Sequence, residues 1–336
     1  MVARGAEVVV TVTVTVRAMN TAKGVASVIA KSPKAIVSLV TALSGTVASV
    51  FTVLRSELWH DDFLLLVVIV MLLYIIYCQP DWALSPVESL APQVVWRIPV
   101  KSSKAALTID DVPLLKGPTS VEKVLDVLRK HEVKATLFIM SGFDLPEDQG
   151  GMDPKAREKC RQLLKRAVEE GHELGNHLKF DRPAIAQPVE EFDADFDHCD
   201  KLIAELSGGK DKWAQRPYKW FRPASAMWTD HILRMADQHD YRTVVGNCYP
   251  HDVASVSRFV NSSYLTKRVR KGAVVIVHDR FHTPETLDEA LPNIKKQGIE
   301  LCTLSDLQTI HDKEWKEKST HETELLRGTP KYGKSS

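Results

Sequence analysis

Residues 105–111 read Ala-Ala-Leu-Thr-Ile-Asp-Asp, an apolar, β-prone run that ends in two adjacent carboxylates, Asp110 and Asp111. A short apolar run closed by a polar turn is how a buried strand is written. Two like charges side by side are unfavourable unless a positive group lies between or beside them. A bound metal or a buried arginine is therefore expected at the end of this run. A lone pair of this kind also suits a solvated turn, so the reading depends on what recurs downstream.

The same rhythm continues from about residue 103. Lys134–Met140, Glu173–Gly175, Lys219–Phe221, Tyr241–Val245, Ala273–Val277 and Ile299–Thr303 read as further strands. Helical patterns lie between them. Ser120–Lys130 gathers Val121, Val124, Leu125 and Leu128 on one face, and Pro154–Glu170 opens on a proline. Val189–Leu206 is stopped by Gly208-Gly209, and Asp230–His239 and Glu285–Gln297 follow. Strands alternating with helices imply βαβ units and a mainly parallel sheet. The spacing predicts an α/β fold over residues 103–312, a distorted (β/α)7-type barrel. In such barrels the reactive side chains stand at the C-terminal ends of the strands. Asp110-Asp111, Asn176-His177, Arg222 and His278-Asp279 all fall at those ends.

The first hundred residues have another character. Phe63–Cys78 reads FLLLVVIVMLLYIIYC, without a charge. Apolarity on every face predicts a transmembrane helix over 59–79 in preference to a buried core helix, with Trp59 and Tyr77 as interfacial anchors. The preceding segment, 1–58, is basic and acid-poor; its first 56 residues carry Arg4, Arg17, Lys23, Lys31, Lys34 and Arg55 against Glu7. That asymmetry places the N-terminal side in the cytosol. The protein is then single-pass type II, held to a membrane by 63–78, with its C-terminal domain lumenal or extracellular. The sequon Asn261-Ser262-Ser263 is compatible with this placement. Ala35–Leu54 is also uncharged, and a second span there would return the domain to the cytosol. The acid-poor start resembles an organelle transit peptide as well. Residues 80–102, with Pro80, Pro86 and Pro92, read as a linker, and 313–336 as a flexible charged tail.

A net charge of +1 with interspersed acids and bases argues against a nucleic-acid partner and for neutral or weakly charged substrates. None of the five cysteines sits in a CxxC pair, which excludes zinc-finger and thioredoxin-like motifs.

A catalytic divalent metal needs about three protein ligands and an open position for water. Asp111, His177 and Asp181 are the candidates; His177 and Asp181 are four apart, one helical turn. Pairing of Asp181 with Arg182 is the competing role. Zinc accepts such nitrogen and oxygen ligands, as do cobalt, nickel and manganese. Asp110 is then free to take a proton from water, with Arg222 to hold it. His278 can protonate a leaving amine, oriented by Asp252 or Asp279. The set suits metal-assisted hydrolysis of an amide or ester. His172, at a strand start, reads as structural. Phe143, Trp220 and Trp228 read as packing residues or as surfaces on which a sugar ring stacks.

These residues resemble the polysaccharide deacetylase (NodB-homology, carbohydrate esterase 4) family over roughly Lys104 to Leu307. The family's Thr-Phe-Asp-Asp-Gly-Pro is similar to Thr108-Ile109-Asp110-Asp111-Val112-Pro113. Its two histidines four apart correspond to His177 and Asp181 within Gly171-His172-Glu173-Leu174-Gly175-Asn176-His177-Leu178-Lys179-Phe180-Asp181. Its Arg-Pro-Pro-Tyr-Gly corresponds to Arg222-Pro223-Ala224-Ser225-Ala226, so Ser225 replaces an aromatic residue. Asp252, after Tyr249-Pro250-His251, stands for the Asp-Trp motif, and Ile276-Val277-His278-Asp279 for the Leu-x-His-Asp motif. The resemblance implies Asp110 as base, His278 as acid, Arg222 and Asp252 as their supports, and Asp111, His177 and Asp181 as ligands of zinc or a similar metal. It places Ser225, Trp228, Tyr249 and Ile276 around the substrate, with Ile276 against an acetyl methyl. The implied activity is N-deacetylation of an N-acetylglucosamine-containing glycan, as in chitin deacetylases. The alternatives are deacetylation of another N- or O-acylated glycan or glycolipid, or a carbohydrate-binding relative without catalysis.

Overall fold

The computed structural model describes residues 62–328. The first element, α1 (Asp62–Cys78), is the apolar stretch, 17 residues long. At about 1.5 Å per residue it spans roughly 25 Å, short of the roughly 30 Å of a bilayer's hydrocarbon. No helix among the described residues is long and apolar enough to cross a membrane. The expected span over 59–79 is therefore not supported. Segment 1–58, with the candidate second span at 35–54, lies outside the described residues.

The remaining elements belong to the unit that begins at Tyr77. They run α2 (Asp81–Leu90), β1 (Val94–Val95), β2 (Lys104–Val112), α3 (Val121–Lys130), β3 (Thr136–Ile139), α4 (Pro154–Glu169) and β4 (Glu173–Asn176). Then come α5 (Val189–Leu206), α6 (Lys210–Ala214), β5 (Lys219–Phe221), α7 (Asp230–Gln238), β6 (Tyr241–Val244), α8 (Arg258–Arg268), β7 (Val274–His278), α9 (Thr283–Lys296), β8 (Glu300–Cys302) and α10 (Leu304–Gly328).

The strands form one parallel sheet in the order β1-β6-β5-β4-β3-β2-β7, with β8 paired to the start of β2. A bridge from Cys248 to Val275 brings the chain after β6 beside β7. The sheet thus curls into a distorted (β/α) half-barrel. The seven expected strands are all present, and β1 is an eighth.

Residues 80–102 are part of this fold and not a spacer. Pro80 caps the start of α2, Val94 and Val95 pair with Thr243 and Val244, and Ile98 and Val100 are buried. The prolines suggested a linker, but a proline at a helix start leaves the helix intact. The tail also differs from expectation. Helix α10 continues to Gly328, and Glu314 on it accepts the backbone N–H groups of Lys101 and Ser102 at 2.5 and 3.1 Å.

Two apolar layers follow from the strands' period of two. One joins Ala105, Leu107 and Ile109 of β2 to the inner faces of α3, α4, α5 and α9. The other, inside the curl, joins Ala106 of β2 to Phe138, Trp220, Val244 and Val274. Along the inner face, β2 and β7 pair Ala106 with Val274, Thr108 with Ile276 and Asp110 with His278. That face passes from apolar to polar to ionisable toward the C-terminal ends, which is where the site is built.

The sequon does not behave as its sequence suggests. Asn261 lies on α8 with 0% exposure, and its amide donates to the Ser255 carbonyl at 2.8 Å. A side chain buried in this way is closed to glycan attachment in the folded protein.

Candidate active site

In a regular strand Asp110 and Asp111 would point to opposite faces. The register of β2 against β3 shifts between Ile109 and Val112, and Asp111 takes a left-handed conformation, φ 59°. This bulge redirects Asp111, so both carboxylates serve the same end of the barrel. Each is 3% exposed.

Asp110 is held by Arg222, at the end of β5. Arg222 Nη1 donates to Asp110 Oδ1 at 2.5 Å and to Thr108 Oγ1 at 2.7 Å, and Nε donates to the Val244 carbonyl at 3.2 Å. The guanidinium lies over the Phe138 ring, 4.2 Å from its centroid. Burial lowers the Arg222 pKa, and the Asp110 charge opposes that effect. Nη2 of Arg222 is buried without a hydrogen-bond partner, a donor left over beside the base.

His177 follows β4. Its Nδ1 donates to the Arg222 carbonyl at 2.6 Å, which leaves Nε2 facing Asp111 Oδ1 at 3.4 Å. Asn176, fully buried, sets this turn by accepting the Leu178 N–H at 2.9 Å and donating to the Phe196 carbonyl at 3.1 Å. Burial alone would lower the His177 pKa. The Asp111 contact and the charges of Asp110 and Asp111 outweigh it and raise the value. Burial would raise the Asp111 pKa, yet His177, His278 and Arg280 together hold the carboxyl well below its usual range.

The other oxygen of Asp111 is occupied by a residue not foreseen from the sequence. Arg280 Nη2 donates to Asp111 Oδ2 at 2.6 Å, and Nη1 to the Asp279 carbonyl at 2.9 Å. Asp181, the third expected ligand, is exposed on the loop after His177. Arg182 beside it pairs with Glu191 and Asp195 instead. Among the described residues no group of three His, Cys, Asp or Glu side chains is placed to hold a metal ion. The expected set of Asp111, His177 and Asp181 is corrected to two donors and an arginine, and a catalytic divalent metal does not fit this arrangement.

His278 ends β7. Asp252 accepts its backbone N–H at 2.7 Å through Oδ2 and lies 2.9 Å from its Nδ1 through Oδ1. Burial would lower the His278 pKa, but Asp252, with Asp110 and Asp111 beyond it, raises it. The imidazole is thus oriented with Nε2 free and biased toward its protonated form. Asp279 does something else. Its carboxylate accepts from Leu114 N at 2.8 Å, Thr119 Oγ1 at 2.5 Å, Ser120 N at 2.7 Å and Ser120 Oγ at 2.5 Å. It ties the loop before α3 to the end of β7. Successive strand residues face opposite ways, so only one of Asp252 and Asp279 can serve the imidazole.

Tyr249 packs at 5.5 Å from the His278 ring, and burial, with the charges of Asp252 and Asp110, pushes its phenol up to about 12. Ile276 lies two residues before His278 on the same face of β7. Ser225 is on an exposed turn after Arg222 in which it and Ala226 are left-handed (φ 62° and 50°). Trp228, partly exposed, meets Trp96 edge to face at 6.0 Å. The structure thus unites Asp110, Asp111, His177, Arg222, Asp252, Tyr249 and His278 and sets Asp181 apart. Arg280 was missed; its place directly after the His-Asp pair at a strand end was the available signal.

Residues 97–244 match the model of the polysaccharide deacetylase family. A peptidoglycan-N-acetylglucosamine deacetylase of Bacillus cereus is 31% identical over 225 residues, 64% of this chain and 92% of that protein. The peptidoglycan-N-acetylmuramic acid deacetylase PdaA of Bacillus subtilis is 27% identical over 194 residues, 55% of this chain and 65% of that protein. The solved structure of Bacillus subtilis PdaA, a family 4 carbohydrate esterase, superposes with a TM-score of 0.53 at 23% identity, covering 66% of this chain and 88% of that one. A family 4 pseudoenzyme from Bacillus anthracis superposes with a TM-score of 0.54 at 21% identity, covering 66% and 70%. The structural likenesses show a common fold, the sequence likeness a common descent, and the chain belongs to the polysaccharide deacetylase family of hydrolases acting on N-acetyl amide bonds.

Proposed function

We propose that this chain removes N-acetyl groups from N-acetylglucosamine residues of a polysaccharide such as chitin or a peptidoglycan-like polymer. The observation that carries the reading is the pairing of Asp110 with His278 in register on β2 and β7. Each is held by its own buried partner, Arg222 or Asp252. Arg222 donates to Asp110 Oδ1 and fixes the carboxylate, which can accept a proton from a water molecule. Asp252 favours protonated His278, which can give a proton to a departing amine. Water oxygen adds to the acyl carbon, the carbon–nitrogen bond breaks, and acetate and a free amine result. Ile276, below His278, offers an apolar surface to the acetyl methyl. Neutral amide substrates agree with a chain whose net charge is +1.

Family 4 deacetylases generally depend on a divalent metal. The donors of this site do not match that requirement, so no step is assigned to a metal. Acetate release from chitooligosaccharides and from N-acetylated peptidoglycan fragments, scored side by side, tests the activity and separates the two substrates. Absence of acetate from both, with the protein folded, overturns the deacetylase reading. A lumenal or extracellular placement goes with such substrates, and protease accessibility on intact cells tests it.

A further inference from the structure

We infer that Arg280 is the resident cation of this site and that Asp111 is its counter-ion, so the chain has exchanged a divalent-metal centre for a buried arginine–aspartate pair. The inference rests on the deacetylase reading only for its consequence in catalysis; the binding claim stands on geometry. Arg280 Nη2 is 2.6 Å from Asp111 Oδ2, with the carboxylate side chain 4% exposed and the guanidinium side chain 18% exposed. The pair is built into the fold. Asp279, beside Arg280, is fixed by four hydrogen bonds from the loop before α3, and its own N–H donates to the Asp110 carbonyl at 2.9 Å. Arg280 Nη1 then closes on the Asp279 carbonyl at 2.9 Å.

A metal ion on Asp111 would face three obstacles. One carboxylate oxygen is already taken by the guanidinium. His177 Nε2, 3.4 Å from the other oxygen, is at hand as a second donor. Asp181 is exposed, and no third His, Cys, Asp or Glu among the described residues completes a metal-binding group. Charge balance points the same way. The two adjacent carboxylates are each neutralised by a separate guanidinium, Asp110 by Arg222 and Asp111 by Arg280. A divalent cation would add like charge beside Arg280. A guanidinium offers directed N–H donors of fixed charge, the chemistry suited to an acyl oxygen that gains negative charge.

Metal binding by the full chain decides the matter. After dialysis against chelator, the protein is titrated with zinc and cobalt by calorimetry, and bound metal is counted by mass spectrometry. Wild type and Asp111→Asn are expected to retain the same metal content, since Asp111 holds none. The variant Arg280→Ala removes the competing charge and frees Asp111 Oδ2 beside His177. It is expected to bind zinc more tightly than wild type, a gain that a further Asp111→Asn change abolishes. One equivalent bound by wild type and lost on Asp111→Asn overturns the inference. So does acetate release by wild type that stops in chelator and returns with zinc. If no substrate yields acetate, the function proposed above fails, while the metal count still tests the role of Arg280.

Discussion

Asp110 and His278 stand opposite each other as the last pair in the parallel register of β2 and β7. They are held from different sides. Arg222 reaches Asp110 from β5, and Asp252 reaches His278 from the loop after β6. The two functions expected of a hydrolytic site, proton acceptance and proton donation, are thereby fixed on adjacent strands with no freedom to exchange.

Replacing Asp110 with asparagine keeps the size and the contact with Arg222 but removes the base. Acetate release is expected to fall by roughly 10²–10⁴-fold, the usual contribution of a positioned general base. The circular dichroism spectrum should be unchanged. Activity within a few fold of wild type would show that the proton goes elsewhere.

Asp252 keeps His278 protonated to a higher pH than a free imidazole would allow. An acid catalyst is lost as pH rises through its pKa, so the alkaline limb of the kcat profile reports this group. In Asp252→Asn that support is gone and burial lowers the His278 pKa. The limb is expected to move to lower pH, with a reduced plateau. A limb that stays in place would assign it to a different residue.

Much of this was legible in the sequence because the barrel writes its strands as apolar runs and its site at their ends. Asp110, His177, Arg222 and His278 were readable for that reason. Other features depend on geometry that residue spacing does not carry. Spacing placed Asp181 one helical turn from His177, but the chain after His177 is a loop with Leu178 left-handed, φ 66°. The bulge at Asp111 has no glycine to announce it. Arg280 looks like an ordinary solvated arginine until the loop before α3 is pinned to Asp279. The prolines of 80–102 suggested a spacer, whereas the buried Val94, Ile98 and Val100 make it part of the barrel.

Gly175 is a close-approach glycine on β4. A Cβ there would lie 2.8 Å from Phe138 Cε1, 2.9 Å from Cδ1 and 3.1 Å from the Trp220 carbonyl oxygen. Phe138 in turn lies under the Arg222 guanidinium. Gly175→Ala is expected to destabilise the fold by about 1–3 kcal/mol, as overpacking in a dense core does. Because the displaced ring supports Arg222, acetate release should fall as well. Urea unfolding at neutral pH checks the first effect, and an unchanged midpoint would mean that Phe138 yields freely.

His172 lies at the opposite, N-terminal end of the barrel and serves the fold. Its side chain is 0% exposed, and its Nδ1 accepts the Ala135 N–H at 3.1 Å, which requires the neutral ring. Burial and the nearby Lys134 charge lower its pKa from 6.5 to about 4. Between those values the unfolded chain binds the proton and the folded chain does not, so stability rises with pH across that window. The contribution, about 3 kcal/mol at 1.36 kcal/mol per unit, is fully present above pH 6.5 and lost as pH falls to about 4. Asparagine keeps an acceptor for Ala135 without titrating. His172→Asn is therefore expected to be less stable than wild type at pH 7.5, with the difference narrowing toward pH 4.5. Urea midpoints at the two pH values check this. A stability difference between the two proteins that does not change with pH would remove His172 as the source of the acid sensitivity.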